Sequence, residues 1–326
     1  MTAAPMARAL VIHPGALGDV LLALPALAHL ARLAPGVHRV LAVAPRLATL
    51  LDGSAYAEEA IDLEELALHR LFVAGGDPAA VERLAGYDAI VSWLGAGDAA
   101  YRRHLGALPG CRVIVARSTP SPGSGRHATW HLIDTLAALG SPPAAPPAVR
   151  LAAGPGERDW AAGWLEERGL APGTVAVLHP GAGSPTKVWP GFASLARRLS
   201  AMGLPVVMVT GPAEAGMVAG LAAASGLPEG RVARDHSLRQ LAALFERATV
   251  FVGNDSGLSH LAAVVGCPTL VLFGPTDPAV WAPTGARVRV VRGAGAGAAD
   301  PWHGVDLGRV ERAALDLARG SAIGVG

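Results

Sequence analysis

Lys187 is the one ammonium side chain in this sequence: the 27 Lys and Arg residues are 26 arginines and this lysine. Where every other fixed cation is a guanidinium, the exception marks a place suited to a compact, rotatable charge and not to a planar fork. It lies in His179-Pro-Gly181-Ala182-Gly183-Ser-Pro-Thr-Lys187-Val-Trp189-Pro190. This loop leaves an apolar strand and leads into a helix that Pro190 is expected to open as a first-turn proline. Backbone N–H groups of a glycine-rich loop together with an ammonium suit a diphosphate. A solvated surface lysine is the alternative reading. The loop lacks GxxxxGK[ST], and Gly181-Ala-Gly183 lacks the third glycine of GxGxxG, so neither standard nucleotide loop is present.

Three further strand exits carry polar groups. Pro14-Gly-Ala-Leu-Gly18-Asp19 sets two glycines and a carboxylate at a helix start; Asp19 reads either as a helix cap or as a general base. Thr210-Gly-Pro-Ala-Glu214 places Glu214 where it could accept hydrogen bonds from a ribose or offset a helix dipole. Asn254-Asp255-Ser256-Gly257-Leu-Ser259-His260 is the richest. A helix from near Asp255 would aim free N–H groups at an anion, with Ser256 and His260 on one face. A cap with a buried, satisfied histidine is the alternative. Neither His-Glu-x-x-His nor paired Cys-x-x-Cys occurs, so no metal site is expected.

The elements that must hold these loops form two series. Apolar runs at 9–13, 40–43, 89–92 and 112–115 alternate with helical spacing at 19–33 and 130–139, which predicts a parallel sheet covered on both faces. Residues 140–149 carry four prolines, which suits a domain boundary. A second series follows, with strands at 175–178, 205–210, 250–253, 269–273 and 287–291. Its helices are expected at 157–167, 192–201, 213–224, 238–246, from about 256, and at 307–319. Both halves read as doubly wound α/β sheets, whose ligands bind beyond the carboxyl ends of the strands, here expected in a cleft between the domains. A length of 326 residues suits two such domains, and 51% hydrophobic with 16% charged residues suits buried sheets. A net charge of +1 without a long basic run gives no footprint for nucleic acid. Cys111 and Cys267, each beside an apolar run, read as buried thiols in a reducing, cytoplasmic setting. The apolar stretch 20–34 is interrupted by Pro25, His29 and Arg32 and is too short to span a bilayer.

Four stretches together resemble the heptosyltransferase family of bacterial glycosyltransferases (glycosyltransferase family 9). They are Gly18-Asp-Val-Leu21 with Leu24-Pro-Ala-Leu27, His179-Pro-Gly-Ala182 with Lys187-Val-Trp-Pro190, Asn254 to Ala262, and Phe273-Gly-Pro-Thr-Asp-Pro278. The resemblance implies a GT-B fold of two Rossmann-like domains facing across a cleft. Residues 1–145 would take the acceptor and 146–326 the nucleotide-sugar, the last helix being free to pack back on the first domain. It implies inverting, metal-independent transfer of heptose from ADP-heptose to a glycan or lipid-linked acceptor such as a lipopolysaccharide core. No cofactor is then needed beyond that donor, and a monomer touching the inner membrane's cytoplasmic face is expected. Asp19 falls on the catalytic base, Lys187 on the diphosphate-binding lysine and Asp255 on the donor-sugar carboxylate. Gly257 and His260, with Ser256, fall on the phosphate region, Glu214 on a ribose contact, and His236 near the base pocket. Gly18 and the glycine loop 181–183 supply backbone N–H groups. The family's hydroxyl residues before the base are replaced here by Pro14-Gly15-Ala16. A nucleotide-sugar epimerase or hydrolase, or a non-catalytic binder, is the competing reading.

Overall fold

The computed structural model describes residues 6–211, 220, 221 and 223–322. The chain divides into two compact units, Met1–Val149 and Arg150–Gly326.

In the first unit, strands β1 (Arg8–Ile12), β2 (His38–Val43), β3 (Glu59–Asp62), β4 (Ala89–Ser92) and β5 (Arg112–Val115) form one parallel sheet in the order β3-β2-β1-β4-β5. Successive crossovers from β1 therefore leave in opposite directions, and the gap beyond β1 and β4 is the switch point. Leu10, Ile12, Val40, Ala42 and Ile90 fill one face of this sheet against Leu105 and Tyr101, all almost wholly buried. The Leu17–Leu33 helix contains Pro25, which removes one intrahelical donor. The Thr129 hydroxyl donates to the Leu22 carbonyl at 3.0 Å in the same stretch, tying this helix to the Ala128–Asp134 helix. The latter is shorter than the spacing at 130–139 suggests, because the Thr135 hydroxyl donates back to the Leu132 carbonyl at 2.6 Å as the helix ends.

The second unit has β6 (Ala176–His179), β7 (Val206–Thr210), β8 (Val232–Arg234), β9 (Val250–Asn254), β10 (Thr269–Phe273) and β11 (Val288–Arg292), all parallel, in the order β11-β10-β9-β6-β7-β8. Its switch point lies between β6 and β9. The last helix, Leu307–Ala322, lays Val310, Ala313, Ala314 and Ala318 into this unit's own core beside Leu195, Leu199 and Val291. Cys267 is buried and its thiol is pushed up to about 12, while Cys111 is only half-buried; both are free thiols. Strands β3 and β8 lie at sheet edges, where few apolar residues are required. Their sequences, Glu-Ala-Ile-Asp and Val-Ala-Arg, carry no run that the spacing could reveal.

The seam between β6 and β9 is closed by one side chain. Asn254, fully buried at the end of β9, donates through Nδ2 to the carbonyls of Pro180 (2.9 Å) and Gly181 (3.2 Å), and its Oδ1 accepts from the Trp189 N–H at 3.0 Å. A carboxamide can do this because it carries both donors and acceptor; a carboxylate or an aliphatic chain cannot. Replacing Asn254 with Leu should strand three buried backbone groups, each costing about 1–3 kcal/mol when unsatisfied. Urea unfolding of Asn254→Leu should show a loss of stability on the order of 3–5 kcal/mol at an unchanged m-value. A midpoint within experimental error of the parent protein would deny the amide this role.

Candidate functional site

The loops leaving β6, β9 and β10 converge on one carboxylate. Lys187 ends the short turn Pro185–Lys187 and donates from Nζ to Asp255 Oδ2 at 2.8 Å. The Thr276 hydroxyl donates to the same oxygen, also at 2.8 Å. The side chain of Lys187 keeps 30% exposure and that of Asp255 only 9%, so the ammonium still faces solvent while the carboxylate is nearly covered. Trp302 braces this arrangement: its Nε1 donates to the Thr186 carbonyl at 3.2 Å, and a Cβ added at Gly274 would lie 2.6 Å from its ring. Glycine is needed there for close approach. Next to Thr276, Asp277 Oδ1 accepts from the Ala279 N–H at 3.1 Å as a helix cap, and the carboxylate pairs with Arg292 at 3.2 Å.

Asp255 is followed by the Gly257–Val264 helix, whose N-cap Ser256 makes no side-chain cap hydrogen bond. Its first-turn N–H groups are of the kind that bind anions. The helix begins at Gly257, with Ser256 as its N-cap and not a helical residue, so Ser256 and His260 are not four apart within one helix. Ser256 Oγ lies 3.4 Å from Ser259 Oγ, whose hydroxyl donates to the Asn254 carbonyl at 2.6 Å, and His260 is buried one turn in. Pro190 also lies outside its helix, which begins at Phe192 after the N-cap Gly191. Gly181 is buried, Ala182 half-buried and Gly183 exposed along the same loop. Glu214, with most of the helix expected at 213–224, lies outside the described residues. Among the described residues no group of His, Cys, Asp and Glu is arranged to hold a metal ion.

His236 follows β8 and belongs to a separate aromatic group. Its ring centroid is 4.7 Å from that of Trp160 and 6.1 Å from that of Trp164, and Arg168 lies over Trp164 at 3.9 Å. Burial lowers the His236 pKa, Arg168 adds to the effect, and Asp235 opposes it. An uncharged imidazole among flat rings is a surface against which another aromatic ring can stack.

In the first unit the helix begins at Leu17, so Gly18 sits in its first turn and Asp19 is its third residue, after the N-cap Ala16. Asp19 is therefore not the cap. Its Oδ2 accepts from the Ala16 N–H at 3.1 Å, which orients the carboxylate. Gly15 is wedged between this side chain and His13: a Cβ there would come within 2.6 Å of His13 Cε1 and 2.7 Å of Asp19 Cβ. His13 went unassigned in the sequence, although His-Pro-Gly-Ala occurs twice, at 13–16 and at 179–182. It is fully buried, 5.3 Å from the Trp93 ring centroid, and its Nδ1 accepts from the Gly15 N–H at 3.0 Å. Its Nε2 is buried without a hydrogen-bond partner. Asn254 and Thr276 also went unassigned, because what singles them out is contact across the sheet and not spacing along the chain.

Burial pulls the His13 pKa from 6.5 down to about 4. The folded pKa lies below the unfolded one, so this histidine's contribution is fully present above about pH 6.5 and is lost as pH falls toward 4. Between pH 7 and 4.5 the loss should be on the order of 2–3 kcal/mol. Asn in its place retains an acceptor but does not titrate. Urea unfolding at the two pH values should therefore show His13→Asn losing less stability on acidification than the parent protein, and equal losses would contradict the assignment.

Residues 150–301 match the family profile described as glycosyltransferase family 9 (heptosyltransferase). A 124-residue stretch is 32% identical to lipopolysaccharide heptosyltransferase 3 of Escherichia coli, covering 36% of this chain and 36% of that protein. The chain thus matches about a third of the length of the curated relatives. Over nearly the whole chain the fold follows two solved structures. One is a glycosyl transferase family 9 protein from Veillonella parvula (TM-score 0.80, 20% identity, covering 98% of this chain and 100% of that one). The other is the E. coli ADP-heptose lps heptosyltransferase II (TM-score 0.75, 21% identity, covering 97% and 99%). The two parallel α/β sheets are those of the GT-B fold. The stretch that matches the profile of glycosyltransferase family 9 (heptosyltransferase), residues 150–301, is the one that carries Lys187, Asp255 and Thr276.

Proposed function

We propose that this protein is an inverting glycosyltransferase that moves heptose from ADP-heptose to a hydroxyl of a lipopolysaccharide core or related glycan, needing no metal. The observation that carries the reading is the meeting of Lys187 with Asp255 beside a helix N-terminus at the β6/β9 switch point. Ammonium and N–H groups there can neutralise a diphosphate, while a carboxylate accepts hydrogen bonds from sugar hydroxyls. The names of the relatives, lipopolysaccharide heptosyltransferase and ADP-heptose heptosyltransferase, support the same donor and acceptor classes.

In this reading residues 1–145 handle the acceptor and residues 146–326 the donor. Asp19 takes the proton of the acceptor hydroxyl as its oxygen attacks the anomeric carbon. The nucleoside diphosphate departs on the opposite side, which inverts that carbon. Lys187 and the first N–H groups of the Gly257–Val264 helix stabilise the charge that develops on the leaving group. Gly18 and the loop 181–183 contribute further N–H groups, His260 and Ser256 border the phosphates, Glu214 holds the ribose, and the face around His236 takes the adenine. No helix among the described residues is long and apolar enough to cross a membrane. We place the enzyme as a cytoplasmic monomer that meets a lipid-linked acceptor at the inner membrane surface.

Two variants separate the roles. Asp19→Ala should lower transfer to a core-oligosaccharide acceptor by about 10²–10⁴-fold and leave ADP affinity, read by calorimetry, near that of the parent protein. Lys187→Ala should instead weaken ADP binding by about tenfold or more, the order expected for a lost hydrogen bond between charged groups. Full turnover by the first variant, or unchanged ADP affinity in the second, would remove the corresponding assignment.

A further inference from the structure

The donor site as proposed asks two things of Lys187. In this structure its ammonium is the counter-charge of Asp255, and in the bound state it must turn toward a diphosphate. Asp255 is nearly covered and receives both of its described hydrogen bonds at Oδ2, from Lys187 Nζ and from Thr276 Oγ1, each at 2.8 Å. Once the ammonium turns away, one described donor remains to fix the rotation of that carboxylate. We propose that Thr276 is a positioning residue for the donor sugar: it holds Asp255 by Oδ2, so that Oδ1 continues to face the sugar hydroxyls when Lys187 engages the diphosphate. This inference rests on the donor reading given above.

The hydroxyl is placed for such a task because its loop is fastened on both sides. Gly274 lies against the Trp302 ring, so closely that a Cβ would clash with it. Asp277 caps the Pro278–Trp281 helix and pairs with Arg292. Trp302 also donates to the carbonyl of Thr186, the residue before Lys187, so one indole braces both donors of Asp255. A donor held from two sides loses little freedom when the ligand binds. Thr276 carries no charge and cannot follow the phosphate, so its bond to Asp255 can persist through the exchange.

The test compares ADP with ADP-heptose by calorimetric titration of the full chain. Thr276→Val removes the hydroxyl at nearly constant volume, and Thr276→Ser keeps it. Thr276→Val should bind ADP-heptose about tenfold more weakly, as expected for one hydrogen bond to a charged group, with ADP affinity within about twofold of the parent protein. Thr276→Ser should match the parent for both ligands. The proposal is overturned if Thr276→Val binds ADP-heptose as the parent does, if it loses ADP and ADP-heptose equally, or if Thr276→Ser fails to restore the difference. Failure of the donor reading itself looks different: the unsubstituted protein would then bind neither ADP-heptose nor ADP, and both proposals would fall together.

Discussion

The buried carboxamide of Asn254 is the constraint on which the arrangement around Lys187 and Asp255 depends. At a switch point in a parallel sheet two neighbouring strands send their connections to opposite sides, and the backbone at their ends loses the ladder partners that the strand interior enjoys. The Pro180 and Gly181 carbonyls and the Trp189 N–H are three such groups, all drawn to one side chain. Both ends of the loop 180–189 are thereby pinned to the end of β9. Trp189 adds a second anchor, donating from Nε1 to the Val305 carbonyl at 2.9 Å. Lys187 sits two residues before that anchor, and Asp255 is the residue after Asn254. Their meeting follows from the chain being fastened immediately beside each of them.

This geometry also gives a physical reason for the lone lysine. A guanidinium facing a carboxylate tends to engage both oxygens with parallel N–H donors. Arginine at 187 would occupy Asp255 on both sides and hold it there. The ammonium takes one oxygen, shares it with the Thr276 hydroxyl, and leaves Oδ1 without a described donor. It can also redirect its remaining N–H bonds by rotation about a flexible stem. A chain that uses arginine at its 26 other cationic positions keeps an ammonium where the proposed donor site asks the cation to release one anion and take another.

Much of the fold could be read from the sequence because both sheets are parallel and covered on both faces. Central strands such as β1, β6, β9 and β10 are continuous apolar runs, and their ends are marked by glycine and proline. Edge strands β3 and β8 are less buried and need no such run. The first helix begins at Leu17, two residues before the expected 19, and Pro190 does not open the Phe192–Ala201 helix as a first-turn proline, because these helices begin after Ala16 and Gly191, neither of which makes a side-chain cap bond. Lys187 and Asp255 could be singled out by composition and local polarity. Asn254 and Thr276 could not, since nothing along the chain says that a buried amide will meet three backbone groups of another loop, or that a hydroxyl 21 positions beyond Asp255 will return to it.

The two copies of His-Pro-Gly-Ala show how far identical local sequence carries. Each follows the strand at the switch point of its own sheet, and each places its histidine in the buried interior. His13 Nδ1 accepts from the Gly15 N–H, so that nitrogen carries no proton. His179 Nδ1 donates to the Val209 carbonyl at 3.0 Å, so there the same nitrogen carries one. The difference comes from the neighbours. In the second unit β7 offers a carbonyl to the imidazole, whereas in the first the imidazole turns to its own loop and tightens it around Gly15. The first loop then enters its helix at once and presents the Asp19 carboxylate in the first turn. The second runs on through the 3-10 turn that ends at Lys187 before its helix begins. One tetrapeptide thus serves two strand exits of opposite charge, and the tautomer at each is set by whichever backbone group lies within reach.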